Sequence, residues 1–501
     1  MLSFQNLISI NRESDHPVFL QISHGMASLI KAGILGKGMR LPGTRAMSES
    51  LKVHRKTVVA AYDELMSQGW IEVIPSKGTF VSSKLPIVEA RGIAEEVQQG
   101  PDRDKAGFQY YPRKDLHRAE PLVPSGLTLD EGVPDVRIAP VNEILRAIKN
   151  IVSRSYNVKY LSYGPVFGDS LLREVLAGYL QETRGMNITA DNVLLTRGSQ
   201  MGMYLASQMI LKPGDKAAVG ETNYIAANLT MCDAGATLLE IPVDEEGLVT
   251  NALETLCEQE EIKAVFVTSH HHHPTTVTLS PERRIHLLQL AEKYGFAILE
   301  DDYDYDFHYA NAPLLPLASA DRAGQVIYMG ATCKIVAPAY RVGYLVAPAD
   351  FVQEASHLRR IIDRQGDPIL ERAIGLMIQQ GDYQRHTKKA LKLYKERRDH
   401  FCHLLETELG EFVSFKKPEG GMAVWVGLDR RLNWRSIARS CELADLRIPN
   451  WKLYDQARAN HNHIRMGFAS LNFEEQEKVI SLLKKAMQDQ KAALLSPLLQ
   501  S

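Results

Sequence analysis

Residues 326–346 read VIYMGATCKIVAPAYRVGYLV. Two apolar runs, Val326–Met329 and Tyr344–Val346, flank a polar stretch that carries Lys334 and, seven residues on, Arg341. Runs this short and this continuously apolar predict strands covered on both faces. In such sheets ligands bind just beyond the carboxyl ends of the strands, where Lys334 falls. The same form occurs upstream in FAILEDDYD, residues 296–304, where an apolar run delivers Asp301 and then Tyr303. Further runs at Asn192–Leu195, Ala217–Val219 and Ala264–Thr268 alternate with helical patterns. The expectation is an α/β unit with a mostly parallel sheet and helices on both faces.

The residues after these strands suggest one chemistry. Asp301 could keep a pyridine nitrogen protonated while the Tyr303 phenol approaches a ring hydroxyl. Lys334 could form a Schiff base with an aldehyde, an electron-sink arrangement that needs the acidic partner. Arg341, helped by the helical N–H groups after Gly198-Ser199-Gln200, would bind a phosphate. Tyr224 follows Gly220-Glu221-Thr222-Asn223 and could stack on the ring. Any one of these residues alone is ordinary, since a loop lysine is usually solvated and a tyrosine after a strand usually packs.

The chain has 501 residues, beyond the size at which one core stops growing, so two or more domains are expected. With 45% hydrophobic and 24% charged residues it falls in none of the disordered, collagenous or membrane classes. No apolar run approaches the roughly 20 residues of a membrane span. MLSFQNLISINRESD lacks the layout of a secretory leader. Five widely spaced cysteines, never in a CxxC pair, fit reduced thiols. A cytoplasmic protein is expected.

Over residues 1–85 Lys and Arg outnumber Asp and Glu by ten to six, although the whole chain carries −2. A basic N-terminal module on an acidic body is the footprint of a nucleic-acid-binding unit. From Pro17 to Ala32, Val18, Ile22, Met26 and Leu29 recur at helical spacing. Thr44 is the expected N-cap of a helix reaching Leu51, and a second helix begins near His54 and turns Val58, Tyr62 and Leu65 inward. Ile71–Ile74 and Thr79–Val81 flank a turn and predict a hairpin, completing a winged helix-turn-helix. His54, Arg55, Lys56 and Thr57 would then enter the major groove, with Arg45, Lys77 and Thr79 on backbone phosphates of double-stranded DNA.

The run MRLPGTRAMSESLKVHRKTVVAAYDELMSQGWIEVIPSKGTFV, residues 39–81, resembles the winged helix of GntR-family regulators. It departs at Gly43-Thr44, at His54 where Ser is usual, and at Ser76 where the wing usually has Gly. Residues 123–485 resemble fold-type I pyridoxal-phosphate aminotransferases, and especially the aminotransferase-like domains of the MocR subfamily of GntR regulators. The matching stretches are Gly132-Val133-Pro134-Asp135, Tyr163-Gly164, Thr196 to Gln200, Glu221 to Tyr224, Glu300 to Asp304, and Lys334 with Pro338, Arg341 and Gly343.

That resemblance implies pyridoxal 5'-phosphate as cofactor. Lys334 is implied as Schiff-base lysine, Asp301 as partner of the pyridine nitrogen, Tyr303 of the 3-hydroxyl, and Tyr224 as stacking residue. Arg341, Ser199 and Gln200 would hold the phosphate, and Tyr163 would reach the phosphate held by the neighbouring subunit, implying a homodimer. Arg465 would hold the carboxylate of an amine or amino-acid effector. The implied layout is a winged helix over 1–82, a linker over 83–122, a large domain over 123–385 and a small α+β subdomain over 386–501.

Cys333 replaces the usual Ser before the lysine, Tyr340 stands where Leu is common, and His273 and Thr276 depart from the subfamily's loop. His270 to His273 raise the question of a metal. On an extended segment His270 would share a face with His272, and His271 with His273, but no nearby Cys completes a zinc pattern and no metal site is expected. The implied function is a DNA-binding transcriptional regulator that senses the cofactor, an amino acid or an amine; the alternative is an aminotransferase with an appended DNA-binding domain. Pro418 to Trp425, closer to working aminotransferases, supports that alternative.

Overall fold

The computed structural model describes residues 4–85, 106–113, 116, 126–153, 155–310, 314–454 and 461–495. The chain divides into two compact units, Met1–Lys114 and Asp115–Ser501. Most of the expected linker, 83–122, lies outside the described residues.

In the first unit, helices Val18–Lys31, Thr44–Leu51 and Arg55–Ser67 precede an antiparallel hairpin of Ile71–Ile74 with Gly78–Val81. Ile22, Met26, Met47, Val58 and Leu65 form its core. The sequence does not announce the short N-terminal helix Phe4–Leu7, whose Phe4, with Ile8 just beyond it, adds to that core. Thr44 is not the cap of the second helix. Gly43 occupies that position without a side-chain bond, and the Thr44 hydroxyl instead accepts from Arg55 Nε at 3.3 Å. His54 caps the next helix, its Nδ1 accepting from Lys56 N at 3.2 Å. Ser76 holds φ +62°, a conformation in which glycine is at home.

The second unit is built on a seven-stranded sheet. Its order is Val193–Thr196, Gly343–Val346, Val326–Ala331, Ala297–Asp301, Ile262–Val267, Lys216–Gly220 and Thr237–Ile241. Gly343–Val346 runs antiparallel to both neighbours and every other pairing is parallel. Alternate residues of these strands enter opposite cores. Leu194, Phe266, Leu299 and Met329 pack on one face, whereas Leu195, Val265, Ile298 and Tyr328 pack on the other. Burial on both faces is why the strands read as continuous apolar runs.

The 28-residue helix Asp382–Leu409, within whose first turns the expected subdomain boundary falls, leads to a smaller antiparallel sheet of Val413–Phe415, Ala423–Leu428 and His463–Gly467. Helices Trp434–Leu443 and Phe473–Leu495 complete this part. The segment Leu127–Thr128 pairs in parallel with Leu446–Arg447, so the chain entering the second unit is tied to the C-terminal part before it builds the large sheet. Among the described residues no helix is long and apolar enough to cross a membrane.

Candidate functional site

A cavity of about 610 Å³ opens at the carboxyl ends of the parallel strands. Asp301 closes strand Ala297–Asp301 and is 3% exposed, with its Oδ1 lacking any hydrogen-bond partner among the described residues. Burial, reinforced by the neighbouring Asp302, pushes its carboxyl up to about 7, against the pull of the Ser199 hydroxyl and Lys334. Lys334 ends the short 3₁₀ turn Thr332–Lys334 after Val326–Ala331. Its Nζ donates to the Gly132 carbonyl at 2.9 Å and lies 5.6 Å from the centre of the Tyr303 ring. Among the described residues no carboxylate lies within ion-pairing distance of it.

Helix Ser199–Ile210 begins with Gly198, which holds φ +77° and approaches Arg341 so closely that a Cβ there would lie 2.5 Å from Nη2. Arg341, itself at φ +51°, donates to the Arg197 carbonyl at 2.9 Å. A guanidinium beside uncapped helical N–H groups is a cradle for an anion. Gln200 lines the cavity, but its amide nitrogen is engaged with Thr230 Oγ1 at 2.9 Å. Tyr224 precedes helix Ile225–Asp233 and meets the His273 ring edge-on at 5.1 Å; burial raises its phenol to about 12.

Arg465 enters from the smaller sheet and is 1% exposed. Nε donates to the Glu131 carbonyl at 2.8 Å, Nη1 to the Pro274 carbonyl at 3.0 Å, and Nη2 to the Tyr303 hydroxyl at 3.0 Å. Tyr303 in turn donates to the His271 carbonyl at 3.0 Å. No carboxylate pairs with Arg465 among the described residues, although a buried guanidinium is stabilised by one.

The four histidines do not alternate as an extended segment would arrange them, because His271 bends the chain at φ +44°. His270 and His271 both turn toward carboxylates, Asp302 at 3.3 Å and Asp304 at 2.9 Å. His272 pairs with the Thr275 hydroxyl, and burial depresses its imidazole to about 3. Only His273 lines the cavity, kept neutral by burial, with Nδ1 unpartnered. Among the described residues no group of three His, Cys, Asp or Glu side chains could hold a metal ion.

The structure therefore brings Asp301, Tyr303, Tyr224, Ser199, Gln200, Lys334, Arg341 and Arg465 to one cavity. Tyr163 is not among them: it is 76% exposed, with Arg364 over its ring at 4.2 Å. Three residues at the site carry no local signal in the sequence. Glu131 and Arg447 line the cavity, and the Tyr454 hydroxyl donates to Glu131.

In the first unit, His54, Arg55 and Lys56 stand exposed at the start of helix Arg55–Ser67, with Thr57 half-buried behind them. Arg45 is exposed on the preceding helix and Lys77 on the hairpin turn, while Thr79 is half-buried. Lys52 in the left-handed conformation makes the turn between the helices, and the Tyr62 hydroxyl ties the second to the Pro42 carbonyl at 2.8 Å.

Residues 125–482 match the family described as Aminotransferase class I and II. The chain belongs to that family. Residues 20–81 match Bacterial regulatory proteins, gntR family, so a DNA-binding module precedes the aminotransferase-like unit. The chain is 28% identical over 438 residues to the probable rhizopine catabolism regulatory protein MocR of Rhizobium meliloti, covering 86% of each chain. It is 29% identical to the HTH-type transcriptional regulator TauR of Rhodobacter capsulatus, over 90% of this chain and 93% of that one. A multiple substrate aminotransferase from Thermococcus profundus superposes with a TM-score of 0.71 at 25% identity, covering 77% of this chain and 98% of that one. The architecture is that of the MocR-type transcriptional regulators.

Proposed function

We propose that this MocR-type regulator binds pyridoxal 5'-phosphate in the cavity and uses the loaded site to sense an amino acid or amine. The observation that carries the reading is Asp301, a buried carboxylate whose Oδ1 has no partner. An unpaired buried charge is costly unless a cation reaches it, and a protonated pyridine nitrogen is such a partner. The rest of the cavity fits the same group. Arg341 with the N–H groups at Ser199 and Gln200 would hold its phosphate, Tyr303 its hydroxyl, Tyr224 its ring face and Lys334 its aldehyde carbon. When bound, the group supplies an electrophilic carbon and an electron sink.

The protein's own part is to orient and to exclude. Lys334, whose Nζ donates to the Gly132 carbonyl, presents its amino group to the cavity. Arg465, lodged among carbonyls and a phenol, offers a buried cation to a ligand carboxylate, and the neutral His273 adds an unpartnered nitrogen to the wall. The DNA reading rests on His54, Arg55 and Lys56 at a helix N-terminus.

We infer a homodimer from the surface around Tyr163. Leu161, Tyr163 and Ile361 are 70%, 76% and 82% exposed, and Tyr156, Val158 and Leu145 are also exposed. The Arg364–Tyr163 contact and the bond from Gly164 N to Gln365 Oε1 bring the two ends of this surface together. Such a patch is unusual on a monomer. A cytoplasmic location accords with DNA binding.

The test uses the full chain loaded with pyridoxal phosphate. Borohydride should fix the cofactor to Lys334, and Lys334→Ala should abolish the attachment. A ligand amino acid should change both the cofactor absorbance and the affinity for promoter DNA near the protein's own gene, and DNA should change amino-acid affinity by the same factor. Rapid multiple turnover with no effect of any amino acid on DNA binding would establish the enzyme instead.

A further inference from the structure

Once Asp301, Lys334 and Arg341 are assigned to the cofactor, and with Asp130 engaged by the N–H groups of Gly132 and Val133 and by the Ser470 hydroxyl, two opposite charges on the wall remain without an ionic partner among the described residues. One is Arg465. The other is Glu131, which lies in the segment 129–133 between the strand pairing at Leu127–Thr128 and the Gly132 carbonyl that holds Lys334. Its backbone and side chain do separate things. The carbonyl accepts from Arg465 Nε, whereas the carboxylate accepts from the neutral Tyr454 hydroxyl. Among the described residues no lysine, arginine or histidine lies within ion-pairing distance of that carboxylate. Tyr454 is itself fixed, its ring meeting Trp425 edge-on at 5.2 Å and its carbonyl accepting from Thr222 Oγ1 at 3.0 Å. Glu131 is thus a positioned anion on the wall of a ligand cavity.

A partly buried carboxylate whose one donor among the described residues is neutral has lost water without gaining a cation. Burial raises its carboxyl above the ordinary range, an effect opposed by Arg465 and Lys334 and reinforced by the neighbouring Asp130. A ligand ammonium would satisfy it. A ligand with only one amino group and one carboxylate leaves Glu131 uncompensated, and a second carboxylate would be repelled by it.

We propose that Glu131 sets the ligand class of this cavity, selecting an amino acid that carries a second, side-chain amino group. The assignment rests on the reading that an amino acid enters the cavity with its carboxylate at Arg465. Three points then fix the ligand: the carboxylate at Arg465, the α-amino group toward Lys334, and the distal ammonium at Glu131.

The experiment titrates the cofactor-loaded full chain with ornithine and lysine, with their uncharged counterparts norvaline and norleucine, and with glutamate. Cofactor absorbance and calorimetry are both recorded. A charge-assisted hydrogen bond should lower the dissociation constant of the diamino acids about tenfold or more relative to the uncharged pair, with glutamate weakest. In Glu131→Gln that ratio should collapse to about two- or threefold, with norvaline binding little changed. Tyr454→Phe keeps the carboxylate and should keep the preference, which separates loss of charge from local misfolding. An unchanged cofactor spectrum in each variant checks the site. Equal binding of norvaline and ornithine, tighter binding of glutamate, or a ratio insensitive to Glu131→Gln would overturn the assignment while leaving amino-acid sensing intact. Failure of every amino acid to bind would overturn both.

Discussion

Replacing Asp301 with asparagine should stabilise the protein without cofactor and destroy its ability to hold one. The Asp301 carboxyl is moved from 3.8 to about 7, first by burial and then by Asp302. At about 1.4 kcal/mol per pH unit, the displacement corresponds to a ceiling of about 4 kcal/mol. A raised acid binds its proton more tightly folded than unfolded. Between about pH 4 and 7 the unfolded carboxyl ionises while the buried one does not, so stability without cofactor falls through that window and is level above it. An asparagine side chain has nearly the same shape and no charge to bury. Relative to the wild type, Asp301→Asn without cofactor should therefore gain about 2 to 4 kcal/mol at pH 8, and the gain should shrink toward zero near pH 4. Urea unfolding followed by tryptophan fluorescence at the two pH values measures this, Trp425, Trp434 and Trp451 reporting from this unit and Trp70 from the first. With pyridoxal phosphate added, the order should reverse, because only the wild type gains a cationic partner for the carboxylate. Cofactor affinity of the wild type should also weaken as pH falls below about 7, where Asp301 takes up its proton. If Asp301→Asn without cofactor is no more stable than the wild type at pH 8, the charge is compensated by the protein itself and the argument for a cationic ligand at this carboxylate fails.

Arg55→Ala should reduce discrimination between specific and random DNA by about 1 to 3 kcal/mol, measured by competition binding, with the cofactor spectrum unchanged. Equal weakening on both DNAs would make Arg55 a phosphate contact. Placing Lys at both Leu161 and Ile361, which are 70% and 82% exposed, should convert a dimer to monomer in analytical ultracentrifugation while folding persists. A double variant that remains dimeric would remove this face from the interface.

Strands are legible where both faces of the sheet are covered, so Val193–Thr196 at one edge and Ile262–Val267 and Val326–Ala331 within the sheet are apolar with little interruption. The edge strand Thr237–Ile241 is not. Unlike Val193–Thr196 at the opposite edge, it leaves Thr237 and Glu240 exposed, so its apolar residues are broken by polar ones. Thr44 has the look of a cap because threonine commonly caps, yet the extended residue before the helix is Gly43, and Thr44 serves Arg55 instead. The histidine loop departs from its expected form for a backbone reason. Alternation of faces presumes extended backbone, and a positive φ at His271 removes that premise. The residues proposed to hold the cofactor follow strand ends or begin helices and carry a strong local signature. Glu131 and Tyr454, 323 residues apart, carry none, since only the fold makes them neighbours.

The geometry also restricts how a ligand could act on DNA binding. Lys334 stands at the end of a strand in the large sheet, whereas Arg465 belongs to the smaller one, and Glu131 follows the strand Leu127–Thr128 that pairs with Leu446–Arg447. An amino acid held at all three points would bridge the two parts, whereas of the residues proposed to hold the cofactor only Tyr303, through Arg465, and Lys334, through the Gly132 carbonyl, reach the second part. A ligand held at all three points would therefore distinguish arrangements in which the two parts are closer or further apart, and only such a difference in affinity can shift a conformational equilibrium. Cofactor alone, bound equally well in both arrangements, would leave DNA affinity unchanged however tightly it bound. The capacity to respond to an amino acid would then reside in Arg465 and Glu131, and the aldehyde chemistry at Lys334 would serve to hold the ligand long enough for those two charges to be read.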